Sequence, residues 1–271
     1  MSAAYTVRDS ATMLRRNLLH IRRYPSLSIM LVAQPVLFLL LFVYVFGGTL
    51  GAGLPAEDAG LLGQAGGGDR GDYLEYITPG ILFMTIASVA LGTAISTATD
   101  MTKGIIARFR TMNIARVSVL TGHVLGAVIK TAGAVVIVTA FAFLLGFRSD
   151  AGPLDWLGAV GLLLLIAFSL TWLTVGMGLA ADSVETASNT PLFLMILPFV
   201  SSSFVPTDAM PAGLRQFAEH QPFTPMIDTL RALVTGTPTG SDLWLAIGWC
   251  ALIALLGFLW SRRLFLRVPT K

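Results

Sequence analysis

Six stretches of this sequence stay apolar long enough to cross a hydrocarbon layer: residues 27–50, 79–98, 117–147, 154–181, 187–205 and 243–260. A bilayer core of about 30 Å takes roughly 20 residues of α-helix. No backbone N–H or C=O can be left unpaired there, so each run has to form a helix. The expected fold is an all-α integral membrane protein with six transmembrane helices. Composition points the same way, because 55% hydrophobic against 12% charged residues leaves too little charge to coat a soluble domain of 271 residues. The net charge of +3 is spread over the short segments between apolar runs, which argues against a nucleic-acid-binding face. The single Cys250 can form no internal disulfide and reads as a small buried hydrophobe.

Orientation follows from the basic residues, which are retained in the cytoplasm when they flank a span. One side would hold Arg8, Arg15, Arg16, Arg22, Arg23, Lys103, Arg108, Arg110, Arg116, Arg262, Arg263, Arg267 and Lys271. The other would hold only Arg70, Arg148, Arg215 and Arg231, with Lys130 inside a span. Both termini of this multi-pass membrane protein are therefore expected in the cytoplasm. The chain reads as one transmembrane domain over 1–271: a cytoplasmic segment 1–26, a bundle 27–261 and a tail 262–271.

The connecting segments carry their own patterns. In 1–26, Val7, Ala11, Leu14, Leu18 and Ile21 recur at helical spacing beside the arginines, which predicts an interfacial helix resting on anionic headgroups and ended by Pro25. A plain positive-inside anchor accounts for most of the same arginines. The glycine-rich loop after the first run contains GGGDRG, Gly66 to Gly71, but no strand precedes this dinucleotide-type pattern. After the fifth run, SSSFVPTDAMP, Ser201 to Pro211, reads as a turn at the outer surface. Two helices too short to span follow, one opened by Pro211 and running to about His220, the other capped by Thr224 with Pro225 at its first position and ending at Gly236. Leu214, Phe217, Met226, Ile227, Leu230 and Leu233 make this pair apolar enough to dip into the outer leaflet beside the fifth span.

Catalytic signatures are sparse. His20, His123 and His220 fall in three different regions, with no His-Glu-x-x-His pattern and no Gly-x-Ser nucleophile. Ser169, Thr171 and Thr174 read as helix-packing residues. Lys130 is the one candidate for an intramembrane charge, and its stem could instead snorkel to the inner interface from an overlong third span.

Two segments carry a family resemblance. KGIIARFRTMNIARVSVLTGHVLG, Lys103 to Gly126, and LPFVSSSFVPTDAMPAGLRQFAEHQPFTPMIDTLRALVTG, Leu197 to Gly236, resemble the inner loop and the C-terminal signature of ABC type-2 exporter permeases, especially the daunorubicin/doxorubicin-resistance branch. Asn113 departs from the proline that many relatives carry after the RFR helix. The resemblance implies an ATP-driven exporter of amphipathic drugs, antibiotics or lipid-like molecules, built from two permeases, identical or paralogous, and two separately encoded ATPases. ATP and Mg²⁺ would bind on the ATPase, and no Gly-x-x-x-x-Gly-Lys-Ser/Thr loop occurs in this chain. It further implies that Lys103, Gly104, Ile105, Ile106, Arg108, Phe109, Arg110 and Met112 form a cytoplasmic coupling helix against the ATPase. The same arginines could serve topology alone, with the apolar residues resting on headgroups. A translocation path along the permease pair would involve Gln34, Asn189, Thr190, Ser201, Ser202 and Ser203, polar groups that are costly against lipid; helix packing is the competing role. The reading from a different class is a membrane-embedded cell-envelope enzyme or assembly scaffold with no ATPase partner.

Overall fold

The computed structural model describes residues 25–46, 70–104 and 116–267, with side chains described over 32–45, 71–104 and 120–266. The interfacial segment, the glycine-rich loop and most of the coupling segment lie outside the described residues. Among those described there is no strand, and the helices follow the apolar runs. They are α1 (Pro25–Leu41), continued by a π-helical turn (Phe42–Phe46), α2 (Arg70–Thr102), α3 (Arg116–Leu144) and α4 (Pro153–Ala180). Then come α5 (Val184–Asn189) and α6 (Phe193–Ile196), α7 (Ala212–His220), α8 (Phe223–Thr235) and α9 (Asp242–Arg267). Four of them, α2, α3, α4 and α9, are long and apolar enough to cross a membrane.

α2 is the axis of the bundle, packed by α1, α3, α4 and the α5–α6 segment. It begins at Arg70, well before the expected start at Pro79, because Tyr73, Leu74, Tyr76 and Ile77 already bury a helical face against the core. Its threonines stay inside by donating to their own helix: Thr78, Thr85, Thr93 and Thr97 each bond the carbonyl four residues earlier at 2.6–3.0 Å. Small residues then let neighbouring helices close in, as membrane bundles require. A Cβ on Gly178 of α4 would lie 2.5 Å from the Ala94 carbonyl of α2, and one on Gly257 of α9 would lie 2.6 Å from the Leu173 amide of α4. Hydroxyls tie α4 to α9 at two further points, Ser169 Oγ 2.8 Å from the Cys250 carbonyl and Ser261 Oγ 3.1 Å from that of Trp172.

α4 opens on Pro153, with the Asp155 carboxylate accepting the Gly152 amide at 3.0 Å, a half-formed capping box. The fifth apolar run departs from the expected single span over 187–205. It begins earlier, at Val184, where Ser183 Oγ caps the Thr186 amide at 3.1 Å, and it ends at Val200. Between these points it alternates α with 3₁₀ turns, Thr190–Leu192 and Leu197–Val200, each containing a proline. Pro191 and Pro198 supply no N–H and press on the preceding turn, so the α ladder is interrupted twice. In α8 the starting residue is Phe223, and Thr224 does not cap it; its hydroxyl donates back to the Ala218 carbonyl of α7 and binds the two short helices together. Gly236 stops α8 as expected, in the left-handed conformation at φ 76°.

Candidate functional site

Helix α8 does not lie loosely on the bundle: Phe223, Met226, Ile227, Leu230 and Val234 are buried, and it packs on α2, α4 and α9. That placement carries Asp228 and Arg231 to the turn that closes the fifth run. Arg231 is the hub. Its Nη1 donates to Asp228 Oδ1, its Nη2 to the Ser202 carbonyl, and its Nε to the Tyr76 carbonyl at 3.3 Å. The guanidinium carbon also sits 4.1 Å from the Tyr76 ring centroid, a cation–π contact. Tyr76 Oη donates to the same Ser202 carbonyl at 2.9 Å, and Ser202 Oγ donates to Asp228 Oδ1 at 2.7 Å. Side chains from α2 and α8 thus converge on one peptide of the turn.

The neighbouring serines close the turn on itself. Ser201 Oγ donates to the Pro198 carbonyl at 2.6 Å, so the Ser203 hydroxyl is the donor in their 2.8 Å contact. Gln221 Nε2 covers the Val200 carbonyl. All three serines are buried. A Cβ on Gly80 of α2 would stand 2.7 Å from Ser203 Cβ, so glycine is what admits the turn to the axis helix. These hydroxyls, assigned to a path from the sequence, are engaged with protein groups, that of Ser202 with Asp228 and those of Ser201 and Ser203 within the turn, and the residues that hold the Ser202 peptide, Tyr76, Asp228 and Arg231, were missed. An acid and an arginine three residues apart on a short apolar helix were the available signal.

The other path residues are dispersed and exposed: Gln34 on α1, Asn189 and Thr190 at the end of α5, where Thr190 Oγ1 donates to the Thr186 carbonyl at 2.8 Å. α1 and the fifth run meet through Phe38 against Phe199 at 6.1 Å between centroids, and the π turn stacks Phe42 on Phe204, just beyond the run, at 4.6 Å. The π-helical turn lies at this contact, bulging where Phe42 stacks.

At the opposite end of α2, Gly104 with φ 67° ends the helix and Lys103 is exposed. Ile105, Ile106, Arg108, Phe109, Arg110 and Met112 lie outside the described residues. Just inside this end, Asp100 Oδ2 and His123 Nε2 are 3.3 Å apart, joining α2 to α3. Lys130 stands at the midpoint of α3, half-buried. His220 faces its own helix, Nδ1 2.8 Å from the Gln216 carbonyl. Among the described residues no group of three or more His, Cys, Asp or Glu could hold a metal.

Residues 9–235, which include both the polar turn and the loop beyond α2, match the ABC-2 type transporter family. The chain belongs to that family. Among the relatives of this ABC-2 type chain is the daunorubicin resistance ABC transporter permease protein DrrB1 of Streptomyces coeruleorubidus, 29% identical over 245 residues covering 90% of this chain and 81% of the relative. The doxorubicin resistance ABC transporter permease protein DrrB of Mycobacterium tuberculosis is 26% identical over 216 residues, 76% of this chain and 69% of the relative. The probable doxorubicin resistance permease DrrC of the same organism is 23% identical over 183 residues, 65% of this chain and 66% of the relative. In ABC-2 type terms, the match spans α1 to α8 and ends before α9.

Proposed function

We propose that this chain is the permease subunit of an ATP-driven exporter in the bacterial cytoplasmic membrane, with six spans and both termini cytoplasmic. The observation that carries the reading is the family match over 9–235, joined by permease relatives that align over most of the chain. Four long apolar helices supply spans. The first and fifth spans would be α1 with its π turn and the proline-broken Val184–Val200 segment, both apolar. The helix pair α7–α8 would then sit at the outer face, α8 wedged into the bundle and the exposed Leu214 and Phe217 of α7 entering the outer leaflet.

Two permeases and two ATPases would make the working assembly, with ATP and Mg²⁺ held by the ATPases. The segment around Ile105, Ile106, Arg108, Phe109 and Met112 would dock on the ATPase, and the exposed residues of α1 and the fifth span, Gln34, Asn189 and Thr190 among them, would face the second permease or the path between the two. The names of the relatives point to amphipathic drugs as the substrate class. Purification of the chain expressed with the ATPase of its own gene neighbourhood tests the reading. Stable co-purification and doxorubicin-responsive ATP turnover are expected; a permease that retains no ATPase and moves no amphiphile in vesicles would refute it.

A further inference from the structure

The inner end of the bundle has a hydrophobic cluster of its own. Leu120 and Val124 of α3, Trp172, Val175 and Leu179 of α4 and Phe265 of α9 are buried together, with Met101 of α2 packed against them. Three of the four helices in this cluster meet closely at glycines. Gly178 of α4 lies against Ala94 and Thr97 of α2, and Gly176 of α4 lies against Trp260 and Ser261 of α9. α2, α4 and α9 therefore form one tightly packed block at this end. α3 joins the same cluster through the aliphatic side chains of Leu120 and Val124.

A directional tie between α3 and the block is the Asp100–His123 pair, with side chains 12% and 5% exposed. It lies about one helical turn before α2 stops at Gly104 and about two turns after α3 starts at Arg116. The pair thus stands at the neck of the loop whose two arms are α2 and α3. An apolar pair of similar volume would stabilise such a site at least as well, because desolvating two polar groups offsets much of their attraction. What the polar pair adds is register: the Nε2–Oδ2 contact holds at one axial position, whereas aliphatic side chains allow sliding.

We infer that Asp100 and His123 are positioning residues for energy transfer, a clasp that makes both arms of the inner loop and the α2–α4–α9 block move as one body. The inference rests on the exporter reading, in which that loop receives the movement of the ATPase. Without the clasp, a push on the loop is absorbed by sliding of α3, and ATP is hydrolysed without export.

The test uses the full permease–ATPase complex in vesicles, with doxorubicin as the probe, and reads bound ATPase, ATP hydrolysis and doxorubicin moved per ATP. His123→Leu should keep bound ATPase and hydrolysis within about two-fold of wild type while doxorubicin per ATP falls about ten-fold, the signature of a lost working interaction. His123→Gln, which keeps a donor directed at Asp100, should recover export per ATP to within about three-fold. Asp100→Leu combined with His123→Leu should be no worse than the more impaired of the two single variants, as expected of residues acting as a unit. Unchanged export per ATP in His123→Leu overturns the clasp, as does a Gln variant no better than Leu, or a loss that follows bound ATPase alone. A wild-type complex that binds no ATPase or exports no doxorubicin instead overturns the exporter reading, and the clasp with it.

Discussion

Arg231→Ala is the most informative single change at the polar turn. It removes three hydrogen bonds, to Asp228, the Ser202 carbonyl and the Tyr76 carbonyl, together with the contact over the Tyr76 ring. Separating a fully buried ion pair costs about 3–5 kcal/mol, most of it from the charge left behind. Here the remaining Asp228 side chain is 30% exposed and keeps the Ser202 hydroxyl, so water and Ser202 offset part of the loss. The Ser202 carbonyl keeps Tyr76 Oη. The net expectation is about 2–4 kcal/mol, or a fall in melting temperature of roughly 5–10 °C.

Smaller lesions should rank below it. Ser202→Ala and Tyr76→Phe each remove one hydroxyl bond, about 1 kcal/mol. Arg231→Lys keeps the charge but not the fork that reaches three acceptors, and should fall between. The assay is thermal unfolding of the purified protein in detergent and again in nanodiscs, completed by a double-mutant cycle of Arg231→Ala with Asp228→Ala. A coupling of about 1–3 kcal/mol is expected. Melting of Arg231→Ala within about 1 °C of wild type, or a Ser202→Ala change larger than the arginine change, would show that the turn is held by packing and that the hub assignment is wrong.

Three other perturbations probe the bundle. Gly257→Leu should reduce the yield of folded protein severely, since its Cβ alone would lie 2.6 Å from the Leu173 amide, whereas Gly248→Ala on the same helix, with open space around it, should be neutral; equal yields in a membrane-fraction assay would reject the α4–α9 packing. Lys130→Leu should raise the melting temperature, because a lysine near the middle of a span disfavours insertion by about 2.5–3.5 kcal/mol, and a fall would reveal an essential partner for the ammonium. In a Cys250→Ala background, Phe217→Cys should resist a membrane-impermeant maleimide while Asp208→Cys reacts quickly; equal rates would place α7 in water rather than in the outer leaflet.

How much of this could be read from residue order depends on the range of the interactions. The apolar runs that became α2, α3, α4 and α9 are properties of consecutive residues, and hydropathy finds them. The fifth run satisfies the same measure, but averaging dilutes Pro191 and Pro198, whose effect is on backbone pairing rather than polarity. Gly236 was legible because its αL stop is local. Thr224 was misread as a cap because its partner, the Ala218 carbonyl, depends on how α7 and α8 meet. The polar turn was illegible for the same reason on a larger scale: Tyr76 and Ser202 are 126 positions apart, and the serines alone do not reveal that an arginine from α8 reaches them. His123 looked isolated until α2 brought Asp100 to it.

The alternation within Val184–Val200 has a mechanical consequence. A residue in a 3₁₀ turn advances the chain by about 2.0 Å and one in an α turn by about 1.5 Å. The two 3₁₀ stretches contain three and four residues, so the segment is about 3–4 Å longer than a continuous α-helix of the same residues. One end of this rod is fixed, since Arg231, Tyr76 and Asp228 grip the peptide just beyond Val200. The extra length is therefore carried to the other end, around Ser183 and Val184. The fifth run is in that sense a spacer, its proline joints supplying reach that a continuous helix of the same residues would lack.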